Sequence, residues 1–492
     1  MSTGMHTIDD VRLHDSRMSP NVGVSTVAPD DAATAAEDEP TANPSDPDAS
    51  GDLVTMYEPI VSLERREVVG FHAFARAADQ LGASTNDELR ALAHDVGRTA
   101  EWDWSYRASA FEDALSADLP AALSVFVGIE PETLDVACPT SIASLVAKAE
   151  AQLRIFVEFD GPTLLANPAG LLNTVARARE AGWGVVLRGI AQNPSSTALL
   201  RLVSPDVVVF DLTRLRALGA EQAAHVLNDC MTYCQQSSAG LLVRSVNTAA
   251  DLNQVLAWRA TFAQGDLFEP PTAMLGPTKI PRRAIPLIAS PTPGVATDPF
   301  DAISEIGSVW QSPPRRLAIL LRTLEQRCLS LHDSAVVLAC QYPALFSGDR
   351  VASAADIVGD HTSFVAMLNT APPTNRLPAA VRVRLPREDP LAKQRILTIV
   401  GDDFCAALAA RRGNAGVDDD RLDVALTYDP ATVASVARLL LARIPAVPPD
   451  SDRVLRAIRL RPMIAQPPQP GIHDAAVQPR SWRSLLGQRR RA

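Results

Sequence analysis

The chain has 492 residues, too many for one ordinary domain and enough for two or three. Hydrophobic residues make up 47% and charged residues 21%, the usual balance of a globular protein. A net charge of −11 argues against a general nucleic-acid binder, because phosphate contacts need a surplus of Lys and Arg. Lysine occurs only at Lys148, Lys279 and Lys393.

Residues 1–50 are rich in Ser, Thr, Pro, Ala and Asp, with few large apolar side chains. Such a segment buries too little surface to offset its ordering entropy, so disorder is expected there. It lacks the basic-then-apolar pattern of a signal peptide, and no apolar run reaches the ~20 residues a bilayer needs. The expected location is the cytoplasm.

From Leu53 to about Gly276, short apolar runs alternate with amphipathic stretches. The runs are Leu53–Tyr57, Ser124–Ile129, Arg154–Phe159, Gly184–Arg188, Asp206–Asp211 and Gly240–Ser245. Pro168–Ala181 and Ala220–Gln235 read as helices between them. The continuous Val, Leu and Ile content suits strands covered on both faces. Repeated strand–helix units predict a parallel α/β architecture, either a barrel or a doubly wound sheet, and pattern alone does not choose.

Residues 277–299 carry six prolines, Pro277, Pro281, Pro286, Pro291, Pro293 and Pro299, and read as an extended linker or wrapping segment. A second ordered region, residues 300–445, reads as a smaller mixed α/β domain. Its expected elements are a helix around Leu317–Leu329, a strand at Arg395–Val400, a helix at Asp403–Arg412, a strand at Arg421–Thr427 and a helix at Pro430–Ile444. Residues 446–492 read as a disordered tail with a basic end, Arg480–Arg491. That end alternates arginines with Trp482, Leu485 and Leu486, yet its short length favours a solvated tail over a membrane contact.

Cysteines stand at Cys138, Cys230, Cys234, Cys328, Cys340 and Cys405. Cys230 and Cys234 would share a helix face, but no Cys or His pair at zinc spacing accompanies them. Buried free thiols are expected.

The first domain, residues 52–276, resembles the EAL family of cyclic-di-GMP phosphodiesterases. The resemblance rests on Tyr57-Glu-Pro-Ile-Val61, Val69-Gly-Phe-His-Ala-Phe-Ala-Arg76, Phe126-Val-Gly-Ile-Glu-Pro131 and Phe156-Val-Glu-Phe-Asp160. It continues through Gly182–Ser196, Pro205–Asp211 and Ala263-Gln-Gly-Asp-Leu-Phe268 in the family's order. It implies a (β/α)8-like barrel, and a phosphodiester cleaved by water activated between two divalent cations. Such ions demand carboxylate and amide oxygens at the carboxyl ends of the strands.

Against that pattern the active site is degenerate. His72 stands for the signature glutamate and Gly128 for an asparagine. Arg188 and Gly189 stand for paired aspartates, and Val209 for a lysine. Arg244 and Asn247 stand for later glutamates; Glu158, Asp211 and Gln264 survive. Two carboxylates and one amide are too few for two divalent ions, and guanidinium groups do not become ligands. The resemblance therefore implies a pseudoenzyme, with no catalytic residue, no metal and no cofactor, that acts as a sensor or interaction module in cyclic-di-GMP-linked regulation. One alternative is a cyclic-di-GMP receptor that binds without hydrolysis through Arg76, Phe74, Arg188 and Arg244, arginine matching phosphate geometry. Its counterpart is that Arg188 and Arg244 pair with Glu158 or Asp211. A third reading is an active phosphodiesterase with an atypical metal site. The loop Ala191–Ser196 departs from the family's Gly-rich version.

Residues 300–445 resemble the DICT sensory domain through Asp389-Pro-Leu-Ala392, Ile396–Leu408 and Arg421–Asp429. A generic α/β dimerisation domain is the competing reading. The expected partner is a signalling protein or a second copy of the chain.

Overall fold

The computed structural model describes residues 53–77, 93, 97–130, 133, 136–161, 167–190, 197–288, 298–329, 335–341, 364–370, 381–401, 404–413 and 421–445. The expectations for residues 1–50, the loop 191–196 and residues 446–492 lie outside them.

The N-terminal half is a closed eight-stranded barrel in the order β1 to β8. Its strands are β1 (Leu53–Ser62), β2 (Glu67–Ala77), β3 (Ser124–Gly128), β4 (Arg154–Asp160), β5 (Gly184–Arg188), β6 (Val207–Asp211), β7 (Gly240–Arg244) and β8 (Phe262–Ala263). Strand β1 pairs antiparallel with β2 and β8, and the pairs from β2 to β8 are parallel. Around it lie α1 (Thr99–Ser116), α2 (Ala143–Gln152), α3 (Pro168–Glu180), α4 (Thr197–Val203), α5 (Leu212–Ala217), α6 (Ala220–Ser237) and α7 (Ala249–Ala257).

The β-branched runs form strands because both faces are covered. Val125, Val127, Val185 and Leu187 belong to the outer core with the helices. Their alternates Phe126, Phe156, Val186 and Val209 fill the barrel interior. Phe126 and Phe156 stack with centroids 4.8 Å apart. Glycine at 184 makes room for this pair, since a Cβ there would lie 2.2 Å from Phe156.

The second half is a seven-stranded sheet in the order β12-β11-β10-β13-β14-β15-β9. These strands are β9 (Ser308–Ser312), β10 (Val336–Cys340), β11 (Phe364–Asn369), β12 (Val381–Arg384), β13 (Gln394–Val400), β14 (Cys405–Arg412) and β15 (Leu422–Thr427). Helix α9 (Pro314–Leu329) covers one face through Leu317, Leu321, Leu324 and Cys328. The other face carries α8 (Pro299–Ser304) and α10 (Pro430–Leu441). All six cysteines are free thiols.

One expectation is overturned. The segment assigned as a helix at Asp403–Arg412 is strand β14, paired antiparallel with both β13 and β15. Alanine is the best helix former, so Cys405-Ala-Ala-Leu-Ala-Ala reads helical. Burial on both faces decides otherwise: Ala406, Leu408 and Ala410 face the cluster beneath α9, while Cys405, Ala407 and Ala409 face the opposite core. Small side chains let α8 approach the sheet closely.

The described part of the Pro-rich segment, residues 277–288, packs against the barrel. Ile285 is buried among Ile60, Val69, Phe126, Phe156, Val207 and Phe262 inside the barrel. Arg154 Nη2 donates to the Ile285 carbonyl at 2.6 Å, and Ile288 N donates to Asp206 Oδ1 at 2.5 Å. Helix α10 then packs on α4 and α3 of the barrel. Arg438, on α10, donates to the carbonyls of Leu202 (2.7 Å) and Arg201 (3.0 Å) and to Ser204 Oγ (2.8 Å), capping the end of α4. No helix among the described residues is long and apolar enough to cross a membrane.

Truncating a buried isoleucine costs about 2–5 kcal/mol, against about 0.5 kcal/mol for an exposed position. Ile285→Ala is expected to fall in the first range in urea unfolding of the full chain. A change within the second would show that the segment is not part of the barrel core.

Candidate functional site

The strands end at a common level, and their register brings the charged side chains together. Gly128 pairs with Glu158, Asp160 with Arg188, and Asp211 with Arg244; Glu58 lies opposite His72. Strands β3, β5, β6 and β7 each end on one half-exposed residue after a buried run. The mouth of the barrel is thus polar above an apolar floor, the usual place for chemistry in this architecture.

At its centre Arg244 reaches across the barrel. Its Nη2 forms an ion pair with Glu158 Oε1, and its Nε donates to Gln264 Oε1 at 3.0 Å. Gln264 is fully buried and in turn donates from Nε2 to the Glu58 carbonyl at 3.3 Å. Glu158 is 1% exposed. Burial alone would raise its pKa, but the guanidiniums of Arg244 and Arg188 hold it below the ordinary value, so it is ionised.

The remaining sequence-derived positions fall around this pair. Asp211 caps α5, accepting from Thr213 N (2.9 Å) and Arg214 N (3.1 Å), and its second oxygen accepts from Ser245 Oγ at 3.2 Å. Asn247 Oδ1 accepts from Asp266 N at 3.1 Å. Val209 is buried and bounds a cavity of about 110 Å³ with Asp160, Arg188 and Asp211. Gly189 has φ of 77°, and a Cβ there would stand 1.9 Å from Asp160 Oδ1. A side chain at 189 therefore needs both a strained backbone and a displaced Asp160. His72, Phe74 and Arg76 share one face of β2 by alternation; Phe74 stacks on His72 at 5.7 Å, and Arg76 is exposed.

Sequence reasoning missed Glu58, Asp160 and the residues that α1 contributes. Glu58 bounds a cavity of about 330 Å³ with His72, Arg244 and Asp266. Burial raises its pKa; Arg244 opposes the rise, and Asp266, Asp211 and Glu158 add to it. A lone acid inside the apolar β1 run was the available signal. Trp102 and Tyr106 on α1 bound a further cavity, of about 230 Å³, together with His72, Phe74, Gly128 and Glu158. Beneath it Asp103 and Arg107 form a buried ion pair at 2.6 Å.

Despite these carboxylates, among the described residues no group of three or more His, Cys, Asp and Glu side chains converges as a metal site would require. Glu158 is committed to Arg244, and Asp211 to the α5 amides and Ser245.

His72 Nε2 lies 3.5 Å from Glu158 Oε2. Burial lowers the His72 pKa to about 3, with Arg244 and Arg188 adding to the fall and Glu158 opposing it. The ring is neutral in the folded chain at pH 7. An unfolded chain protonates it near pH 6.5, so between about 6.5 and 3 the unfolded state binds more protons. Stability from this group is full above pH 6.5 and is lost as the pH falls through that window, by up to about 1.4 kcal/mol per unit. Unfolding free energies measured at stepped pH should show that slope reduced in His72→Leu; parallel curves for the two proteins would contradict it.

Comparison with known proteins agrees with this geometry. Residues 47–271 match the EAL domain family. No curated protein matches the chain. Similar solved structures include PaMucR phosphodiesterase in a c-di-GMP complex, at 17% identity and TM-score 0.39, covering 45% of this chain and 92% of that one. The Bacillus subtilis YkuI protein, with an EAL domain and in complex with substrate c-di-GMP and calcium, is 21% identical, TM-score 0.39, over 46% of this chain and 57% of its own. Klebsiella pneumoniae BlrP1, in a manganese/cy-diGMP complex, is 18% identical, TM-score 0.39, over 46% and 58% respectively. This chain thus spans little more than half the length of the last two. Its barrel segment is an EAL domain, carried in a longer chain with a second sheet domain.

Proposed function

We propose that this EAL domain is a catalytically inactive member of its kind, used as a sensor or interaction module in cyclic-di-GMP-linked regulation. The observation that carries the reading is Arg244, whose guanidinium pairs with Glu158 and Gln264, two of the three ligand-type residues that survive. A divalent ion brought within ~4 Å of a guanidinium meets a repulsion on the order of 8 kcal/mol at an effective dielectric of about 20. The two surviving carboxylates, Glu158 on Arg244 and Asp211 on the α5 amides and Ser245, are spent on protein partners. Left-handed Gly189 argues the same way, because restoring a carboxylate there strains the backbone.

The second sheet domain, read as DICT-like, would supply the signal. Arg438 and α10 tie it to α4, the helix that follows the β5 end of the mouth. The output would go to a signalling protein or a second copy of the chain. One observation favours the receptor variant of this reading: Phe74 and Arg76 stand on the mouth-facing side of β2, an apolar ring beside an exposed cation suited to a base and a phosphate.

Full-length protein incubated with cyclic di-GMP and Mn²⁺ or Mg²⁺ should release no linear dinucleotide, and metal-dependent release would overturn the proposal. Calorimetry in the same buffers separates the variants. Heat abolished by Arg76→Ala establishes a receptor, and no heat leaves an interaction module.

A further inference from the structure

We propose that strand β9, at one edge of the second sheet, pairs antiparallel with β9 of a second copy of the chain, across a two-fold axis at Trp310. This surface gives a place to the second copy invoked above. It belongs to the sheet domain alone and is independent of whether the barrel is catalytic.

An edge strand presents a row of unpaired N–H and C=O groups, and proteins ordinarily guard it with charge, proline, a bulge or a cover. The two edges of this sheet differ in that respect. Strand β12 carries exposed Arg382 and Arg384 among its four residues. Strand β9, Ser308-Val309-Trp310-Gln311-Ser312, carries no charge. Among the described residues it pairs with β15 alone, from Leu422–Ser312 to Leu426–Ser308, with no bulge. Apolar side chains gather beside it. Val309 is 51% exposed, Ile306 61% and Tyr428 53%. Tyr428 lies two residues beyond the last pair, Leu426–Ser308, as Ile306 does on the chain leading into β9.

Charge then chooses the partner and its direction. The flanks of β9 have opposite sign: Glu305 and Asp429 stand at its amino end, and Arg315, Arg316 and Arg421 at its carboxyl end. Antiparallel self-pairing centred on Trp310 sets Ser308 beside Ser312 and Val309 beside Gln311. It also brings the acidic end of each copy to the basic end of the other. Parallel pairing would set like ends together, which weakens association. At the axis each Trp310 meets its own counterpart, and aromatic pairs across antiparallel strands are stabilising. The strand is therefore its own complement, in size about its centre and in charge at its ends. Such a contact is isologous and closes at two copies.

The test is sedimentation equilibrium of the full chain. The expected species is a dimer in exchange with monomer, and nothing larger. Val309→Lys guards this edge as the arginines guard β12, and should weaken association at least about ten-fold. Glu305→Arg sets like charges together twice in each dimer and should do the same, by about ten-fold or more. Adding Arg315→Glu to Glu305→Arg exchanges the two signs and should recover most of that loss. All three positions are exposed, so the far-ultraviolet circular dichroism of each variant should match wild type. A chain that stays monomeric up to its solubility limit would overturn the inference. So would a dimer unmoved by Val309→Lys or by Glu305→Arg, or one that the charge exchange does not recover. Cyclic-di-GMP hydrolysis measured on the same samples reads the barrel separately, so failure of either proposal leaves the other in place.

Discussion

The ion pair between Arg244 and Glu158 is the constraint around which the barrel mouth is arranged. A carboxylate 1% exposed cannot stay ionised without compensation. Arg244 supplies that compensation from the end of β7, and Gln264 fixes the guanidinium plane through its Nε. Removing one partner of such a pair costs about 3–5 kcal/mol, because the other is stranded in a low dielectric. The same charge explains its neighbours. It helps keep His72 neutral and opposes the rise that burial imposes on Glu58. A mouth built to hold cations needs its carboxylates unspent; here the most deeply buried one is neutralised by the protein itself.

Below the mouth, the barrel and the second domain are in direct contact. Ile285 completes the interior packing at one end of the barrel, and Asp206 gathers Val185 N, Arg179 and Ile288 N on one buried carboxylate. On the flank, Arg438 donates to the Leu202 and Arg201 carbonyls at the end of α4. Helix α10 thus touches the helix that follows the Arg188–Gly189 corner.

Much of this was readable in the residues. The runs at 184–188 and 206–211 announced buried strands because β-branched side chains leave few alternatives, and β5 falls at Gly184–Arg188 as expected. The EAL motifs resolved barrel against open sheet, which periodicity could not. Pairing of Arg244 with Glu158 had been one of two open outcomes, since spacing does not tell which way a long side chain turns. Where reading failed, the cause was tertiary. Cys405–Arg412 is locally helical in composition and extended only because two layers cover it. Glu58 looked like part of a strand until the barrel closed and placed it opposite His72. Trp102 and Tyr106 lie on α1, outside every quoted motif, and become part of the mouth only through the packing of that helix.

The most direct test of this account is a Mn²⁺ titration of the full-length chain, followed by the electron paramagnetic resonance signal of the free ion. If Arg244 occupies the place of the cations, the signal grows in proportion to added Mn²⁺, as in buffer alone, and Glu158→Gln changes nothing. Uptake of about two ions per chain at micromolar concentration, lost on Glu158→Gln, would contradict the account at its centre.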